Sequence, residues 1–301
     1  MNLLDRIKKP LVIVNPNANE GRAEERWELV GYSLRRKGFD YDVEIPRTRE
    51  ETIEVVRKDR MHEAIFVFSG DGGVNAVSKG LMQNKYGKDK ILVALPGGSA
   101  NDIAEECGYG SLDNVCDKLI KGTEREMDGW RVNEEPFLGF ASIGLGAAIL
   151  EERNKRRFFR GKIAYVTGAV RALFRYNTPK SMNLKIDKED VEKSVLIGVV
   201  SNIRFYADHM KIAPDAIYDD GQMDLCLMEN LRTVFQSLPV VYKGTHIGNK
   251  GVHYVKTRKL KVYSPTPVQL EVDGDFIGKY DRFKFEHAGG IRVLVAKGNG
   301  R

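Results

Sequence analysis

The residues of this chain best suited to chemistry are two runs of glycine, each placed where a strand-like stretch ends. In AIFVFSGDGGVNAV, residues 64–77, an apolar run leads straight into Gly70, Asp71, Gly72 and Gly73, and helix-like periodicity follows from Val74. Backbone without side chains lets amide N–H groups approach a polyphosphate, which then rests on the positive end of the following helix. Asp71 is the odd member, because a carboxylate beside phosphates has to hold a cation or a bridging hydroxyl. A strand-to-helix turn capped by Asp explains this stretch equally well when it is taken alone. The next apolar run ends the same way, in ALPGGSANDIAEE, residues 94–106, where Gly97, Gly98 and Ser99 precede Asn101, Asp102 and a helix. An earlier one, LVIV, empties into NPNANEGRA, residues 15–23. Three successive strands with small, polar exits on one sheet edge predict a joint nucleotide site. Neither a strict GxGxxG nor a Walker run ending in GK[ST] occurs, which argues against a dinucleotide dehydrogenase and a P-loop NTPase.

Carboxylates form the second group. LEVDGDF, residues 270–276, puts Asp273 and Asp275 two positions apart at a strand end and so on one side of it. Such a pair could receive the proton of a hydroxyl that attacks a phosphate, although Asp-Gly is equally an ordinary hairpin turn. DDGQMD, residues 219–224, gathers three carboxylates within six positions. That is either a site for a hard cation such as Mg²⁺, with spacing too irregular for an EF-hand, or a solvated acidic turn. In RNKRRFFRGK, residues 153–162, cations flank Phe158 and Phe159. The run could dock on an anionic bilayer, each cation adding about 1 kcal/mol, or be a solvated helix face with its phenylalanines turned inward. His62, His209, His246, His253 and His287 are scattered without ligand spacing.

The elements that must position these residues fall into two textures. Up to about residue 126, β-branched strands alternate with helices of ten or so residues, the pattern of βαβ units around a parallel sheet. From about 127 to 288, strand-like pieces joined by turns dominate, the pattern of an antiparallel sandwich. A length of 301 residues suits two such bodies. Hydrophobic and charged fractions of 42% and 30% are those of ordinary globular cores. A net charge of +6 tilts the expectation toward anionic partners without naming one. Cys107, Cys116 and Cys226 form no CxxC pair, which favours a reducing compartment. The opening MNLLDRIKKP lacks a signal-peptide core, and no apolar run approaches ~18 residues. These features predict a cytoplasmic protein that meets a membrane, if at all, from the side. No basic stripe carries a nucleic-acid motif, so no nucleic acid is expected.

With these residues in place, the chain resembles the diacylglycerol kinase catalytic-domain family, which includes soluble bacterial lipid kinases and sphingosine kinases and is distantly similar to NAD kinases. NPNANEG is similar to its NPxxG loop, SGDGGVNAV to GGDGTxNEV, LPGGSANDIA to PxGTxNDFA, APDAIYDDGQMDL to PxAxxDDGxLDL, and LEVDGD to VDGE. The resemblance implies an NAD kinase-like, Rossmann-like α/β domain over 1–126 that a final segment near 289–301 rejoins, and a β-sandwich lipid-substrate domain over 127–288. It implies ATP as phosphoryl donor, with Asn15, Gly21, Thr48, Gly70, Asp71, Gly72, Asn75 and Ser99 around it. Gly73, Gly98, Asn101 and Asp102 belong to the same loops. Asp275 takes the position of the family's catalytic Glu and is the expected proton acceptor, with Asp273 orienting it and Asp71 completing the catalytic set. Asp220, with main-chain oxygens of Ile217 and Gln222, would hold a structural Mg²⁺. The activity implied is transfer of the γ-phosphoryl group to a hydroxyl of a membrane lipid such as diacylglycerol, by a protein peripheral to the inner face of the membrane. An NAD kinase-like enzyme is the first alternative. A nucleotide-binding regulator without catalysis is the second, supported by Gly73 in place of the family's Thr and Ala76 in place of its Glu. Oligomeric state is left open, a homodimer included.

Overall fold

The computed structural model describes residues 7, 9–155 and 161–298, giving only the backbone of Glu20 and of 161–166. The chain forms two units, residues 1–127 with 289–301 and residues 128–288.

The first unit is an α/β layer structure. Its elements are β1 (Leu11–Val14), α1 (Ala23–Arg36), β2 (Asp42–Glu44), α2 (Arg49–Lys58), β3 (Ala64–Ser69), α3 (Asp71–Gln83), β4 (Ile91–Pro96), α4 (Asp102–Glu106) and α5 (Val115–Ile120). Every residue of β1, β3 and β4 is buried, as expected of parallel strands covered on both faces. β4, β3, β1 and β2 lie side by side in that order, all parallel. Helix α1 carries Glu24 and Glu25 in its first turn and Arg35 and Arg36 in its last, so both ends match the helix dipole. Its inner face places Trp27 against Tyr41 and Phe68. Helix α2 starts at Thr48, whose hydroxyl accepts the Glu51 amide hydrogen at 3.1 Å. It lies so close to α3 that a Cβ on Gly80 would come within 2.8 Å of Val56.

The second unit is built almost wholly from antiparallel pairs. Its elements are β5 (Thr123–Val132), β6 (Glu135–Phe137), β7 (Phe140–Gly144), α6 (Leu145–Asn154), α7 (Gly161–Arg175), β8 (Lys180–Ile186), β9 (Glu189–Val195), β10 (Ile197–Ser201), β11 (Met223–Met228), α8 (Leu231–Val241), β12 (Val252–Thr257), β13 (Leu260–Val272) and β14 (Asp275–Val295). β5 enters from the first unit, and β14 returns there, pairing Arg292 and Val293 with Ile91 and Leu92 of β4. β13 serves two layers. Its first half pairs with β8, and its last residues pair with β7, the next strands out being β10, β11 and β12. The change occurs at a register irregularity between Tyr263 and Val268, where Pro265 and Pro267 cannot donate ladder bonds. Between the layers lies one core containing Trp130, Phe137, Leu184, Leu225, Leu270, Phe283 and Phe285. The expected fold class, an α/β unit and an antiparallel β-sandwich, is what the chain adopts.

Two local differences from the sequence expectation bear on the site. The helix after β3 begins at Asp71, so Gly72 and Gly73 lie in its first turn instead of in a loop. A Cβ on Gly73 would stand 2.1 Å from the Ser69 Oγ, so this turn tolerates only glycine while Ser69 is present. LEVDGDF is not one strand. Asp273 and Gly274, with φ of 44° and 85°, form a two-residue hairpin turn, across which Val272 pairs with Asp275.

Candidate functional site

In the first unit, the carboxyl ends of β1, β3 and β4 are neighbours and their exits touch. The Asn15 amide N–H donates to the Phe68 carbonyl at 3.3 Å, and its Nδ2 reaches Ser69 Oγ at the same distance. The Gly97 amide donates to the Ser69 carbonyl at 3.0 Å. Gly70 and Gly98 meet backbone to backbone: a Cβ on Gly98 would stand 2.3 Å from the Gly70 Cα, and one on Gly97 2.5 Å from the Ser69 nitrogen. Glycine is therefore dictated by contact at both positions, and the two loops form a single main-chain surface. The first turn of α3 puts a positive helix end beside that surface, with the Gly73 amide bonded to the Gly70 carbonyl at 2.9 Å.

Polar side chains mostly hold this surface in shape. Asp71 is buried, and its Oδ1 accepts the Ile103 amide hydrogen at 2.9 Å, tying the start of α4 to the start of α3. Burial pushes its carboxyl above the ordinary value, against the backbone donors that favour the charged form. Asn101, in the left-handed region, accepts the Gly98 amide hydrogen at 2.7 Å and donates to the Gly98 carbonyl at 3.0 Å. The Gly98 amide is thus engaged within the loop, while the exposed Ser99 hydroxyl has no partner among the described residues. Asp102 is fully buried in α4. Thr48 caps α2, and Gly21 closes the loop after β1 at a φ of 86°. The sequence reading missed Arg49. Its guanidinium donates to the Gly72 carbonyl at 3.3 Å and to Asn75 Oδ1, which sets a cation at the first turn of α3. No motif marks it, because its approach depends on how α2 packs on α3.

In the second unit, the geometry corrects the reading of Asp273 and Asp275 as two carboxylates on one side of a strand. Asp273 is a turn residue with no exposed surface. Its Oδ1 accepts the amide hydrogens of Gly139 and Phe140 at 2.9 and 2.8 Å, and its Oδ2 accepts that of Leu138 at 3.0 Å. A carboxylate fixed by three main-chain donors sets the turn and is too enclosed to meet a reacting hydroxyl itself. Asp275, partly exposed, is the first residue beyond that turn. Glu271, also missed, lies buried just before the turn, with Oε2 3.2 Å from the Tyr206 hydroxyl, which in turn lies 3.4 Å from Ser142 Oγ. Burial, with the Asp273 charge a lesser cause, pushes its carboxyl up to about 8.

The acidic turn of the second unit is tight at Gly221, with φ 68°. Asp220 accepts the Gln222 amide hydrogen at 2.9 Å and lies 3.4 Å from the Lys256 ammonium, which also reaches Asp224 at 3.1 Å. The carbonyl oxygens of Ile217 and Gln222 receive no hydrogen bond among the described residues. One carboxylate and two unclaimed carbonyls suit a hard cation such as Mg²⁺. No cluster of three His, Cys, Asp or Glu side chains that could hold a metal occurs among the described residues. Phe158 and Phe159 lie outside the described residues. No helix among the described residues is long and apolar enough to cross a membrane.

Comparison with known proteins extends this picture to the whole chain. Residues 9–132 match the diacylglycerol kinase catalytic domain, and residues 139–294 match the YegS C-terminal NAD kinase beta sandwich-like domain. A protein of Shewanella frigidimarina named "Probable lipid kinase YegS-like" is 27% identical over 81% of this chain and 80% of its own length. A diacylglycerol kinase of Bacillus subtilis is 23% identical over 90% of this chain and 91% of its own. A crystal structure of a diacylglycerol kinase from Bacillus anthracis superposes with a TM-score of 0.72 at 16% identity, covering 98% of this chain and 99% of that one, which is a likeness of fold. Two adjoining domain matches and relatives aligned over nearly the whole length lead to one assignment: the chain belongs to the family of diacylglycerol kinases and YegS-like lipid kinases.

Proposed function

We propose that this lipid kinase uses ATP as donor and phosphorylates a hydroxyl of a glycerolipid such as diacylglycerol. The observation that carries the donor reading is the backbone contact of Gly70 with Gly98, which joins two strand exits into one main-chain surface at the start of α3. Amide donors there suit the β- and γ-phosphates, and Arg49, Asn15 and Ser99 stand near enough in sequence and contact to fix their charge and orientation. The acceptor reading rests on the names of the relatives.

Asp275 accepts the hydroxyl proton as the lipid oxygen attacks the γ-phosphorus, and ADP leaves with the electron pair of the broken P–O bond. Asp273 positions it by locking the turn. Asp220 and the carbonyl oxygens of Ile217 and Gln222 would hold Mg²⁺, which supplies the positive charge that ties the acidic turn together.

Ser69 favours catalysis over the regulator reading. Its Oγ lies 2.1 Å from where a Gly73 Cβ would begin, which puts a hydroxyl beside the position that lacks one. Asp275→Ala tests the assignment: lipid phosphorylation should fall by about 10²-fold or more, the scale of a lost general base, with nucleotide affinity unchanged. Equal loss of both would remove Asp275 from the chemistry.

A further inference from the structure

Helix α8 is apolar on two sides, one packed on the core and one turned outward. Its inward side packs Leu231, Val234 and Val241 with the small Thr233 and Ser237, while Phe235, Leu238 and Tyr242, spaced i, i+3 and i+7, are 56%, 45% and 53% exposed. A surface helix ordinarily turns its large apolar residues to the core and its small polar ones to water. The inner hydroxyls are not misplaced. Thr233 bonds the capping Asn230, whose side chain accepts its amide hydrogen at 3.1 Å, and Ser237 accepts from Asn249 at 3.3 Å. The inner side is therefore fully packed, and the three large side chains stay about half exposed.

Charge indicates what covers them. From Leu231 to Val252 the chain has no Asp or Glu, while Arg232, Lys243 and Lys250 are exposed. Helix α7, whose Ala172 packs in the same apolar cluster as Leu231 and Val234, also lacks acidic residues and leaves Phe174 81% exposed. Exposed aromatic and leucine side chains in a stretch whose only charges are cations match the interface of an anionic bilayer, where apolar groups enter between headgroups and cations meet phosphates. A second copy of this face would set three cations against three, which opposes self-association through it.

We propose that the outer face of α8 docks the protein on anionic lipid bilayers, with Phe235, Leu238 and Tyr242 inserted and Arg232, Lys243 and Lys250 at the headgroups. The choice of partner rests on the lipid-acceptor reading, but the face is described by its own residues and is tested without phosphoryl transfer. The protein should sediment with vesicles of phosphatidylcholine and phosphatidylglycerol mixed, and not with phosphatidylcholine alone. Phe235→Ser, Leu238→Ser and Tyr242→Ser combined should lower that binding at least about tenfold, and Lys243→Gln or Lys250→Gln about fivefold each. The triple variant should keep its rate toward a water-soluble short-chain diacylglycerol. Should the triple variant fail to fold, Phe235→Trp reports insertion directly, by a blue shift on mixed vesicles above the background of the buried Trp27 and Trp130. Undiminished sedimentation of the triple variant, absence of the blue shift, or a wild-type dimer that the triple variant converts to monomer would each overturn the proposal.

Discussion

Replacing Gly98 by alanine places a methyl group 2.3 Å from the Gly70 Cα and 2.7 Å from its nitrogen. Non-bonded carbons rest about 3.5–4.0 Å apart, so the loops after β3 and β4 have to separate by roughly 1 Å. Both neighbours are main-chain atoms and have no alternative rotamer to take. Overpacking of this kind costs about 1–3 kcal/mol, and each kcal/mol lowers the melting temperature by about 2–4 °C in a protein of this size class. The functional effect should be larger if this surface holds the phosphates as proposed, because a displacement of about 1 Å there costs on the order of 10²-fold in transfer rate. The assay pairs a thermal melt with nucleotide titration, using Gly248→Ala as control, since a Cβ at Gly248 meets no heavy atom within 4 Å. Gly98→Ala should melt lower and bind nucleotide weakly, while Gly248→Ala matches wild type. A Gly98→Ala protein with wild-type melting and nucleotide affinity would refute the backbone contact and the cradle built on it.

Asp273→Asn puts an NH₂ group and a single oxygen where three amide hydrogens now find a carboxylate, and should destabilise the fold by about 3 kcal/mol in denaturant titration. Glu271 gives a pH dependence. Its folded value of about 8 lies above the ordinary 4.5, so the folded state keeps a proton that the unfolded state releases. Stability should therefore fall as pH rises from about 4.5 to about 8 and level off above, by no more than about 5 kcal/mol, and Glu271→Gln should flatten that slope. Magnesium should raise the melting temperature of the wild type by the mass-action term and leave Asp220→Asn unmoved.

How much of this was legible in sequence depended on whether the signal was local. The buried runs Leu11–Val14, Ala64–Ser69 and Ile91–Pro96 read as covered parallel strands, because each is apolar throughout and each ends in glycine or asparagine. The contact of Gly70 with Gly98 follows once those strands are neighbours, since paired glycines at adjacent exits leave room for backbone to meet backbone. Alternation misled at Asp273. The period-two rule holds along a strand, and Asp273-Gly274 adopts two positive φ angles that end one strand and begin another. Arg49, Glu271 and Tyr206 gave no sequence signal because their partners lie 23 to 65 positions away, brought near only by tertiary packing. The outward face of α8 was invisible for another reason: a spacing of apolar residues identifies a stripe, and only the packing of Thr233 and Ser237 shows that the stripe faces out.

The proposed reaction transfers a γ-phosphoryl group from ATP to a lipid hydroxyl. ATP labelled at the γ-phosphate, incubated with the protein, magnesium and mixed micelles of diacylglycerol, with NAD as a parallel acceptor, tests it directly. Label should appear in the organic-extractable lipid and not in NAD. Label in NAD, or tight ATP binding with no label in either acceptor, would contradict it.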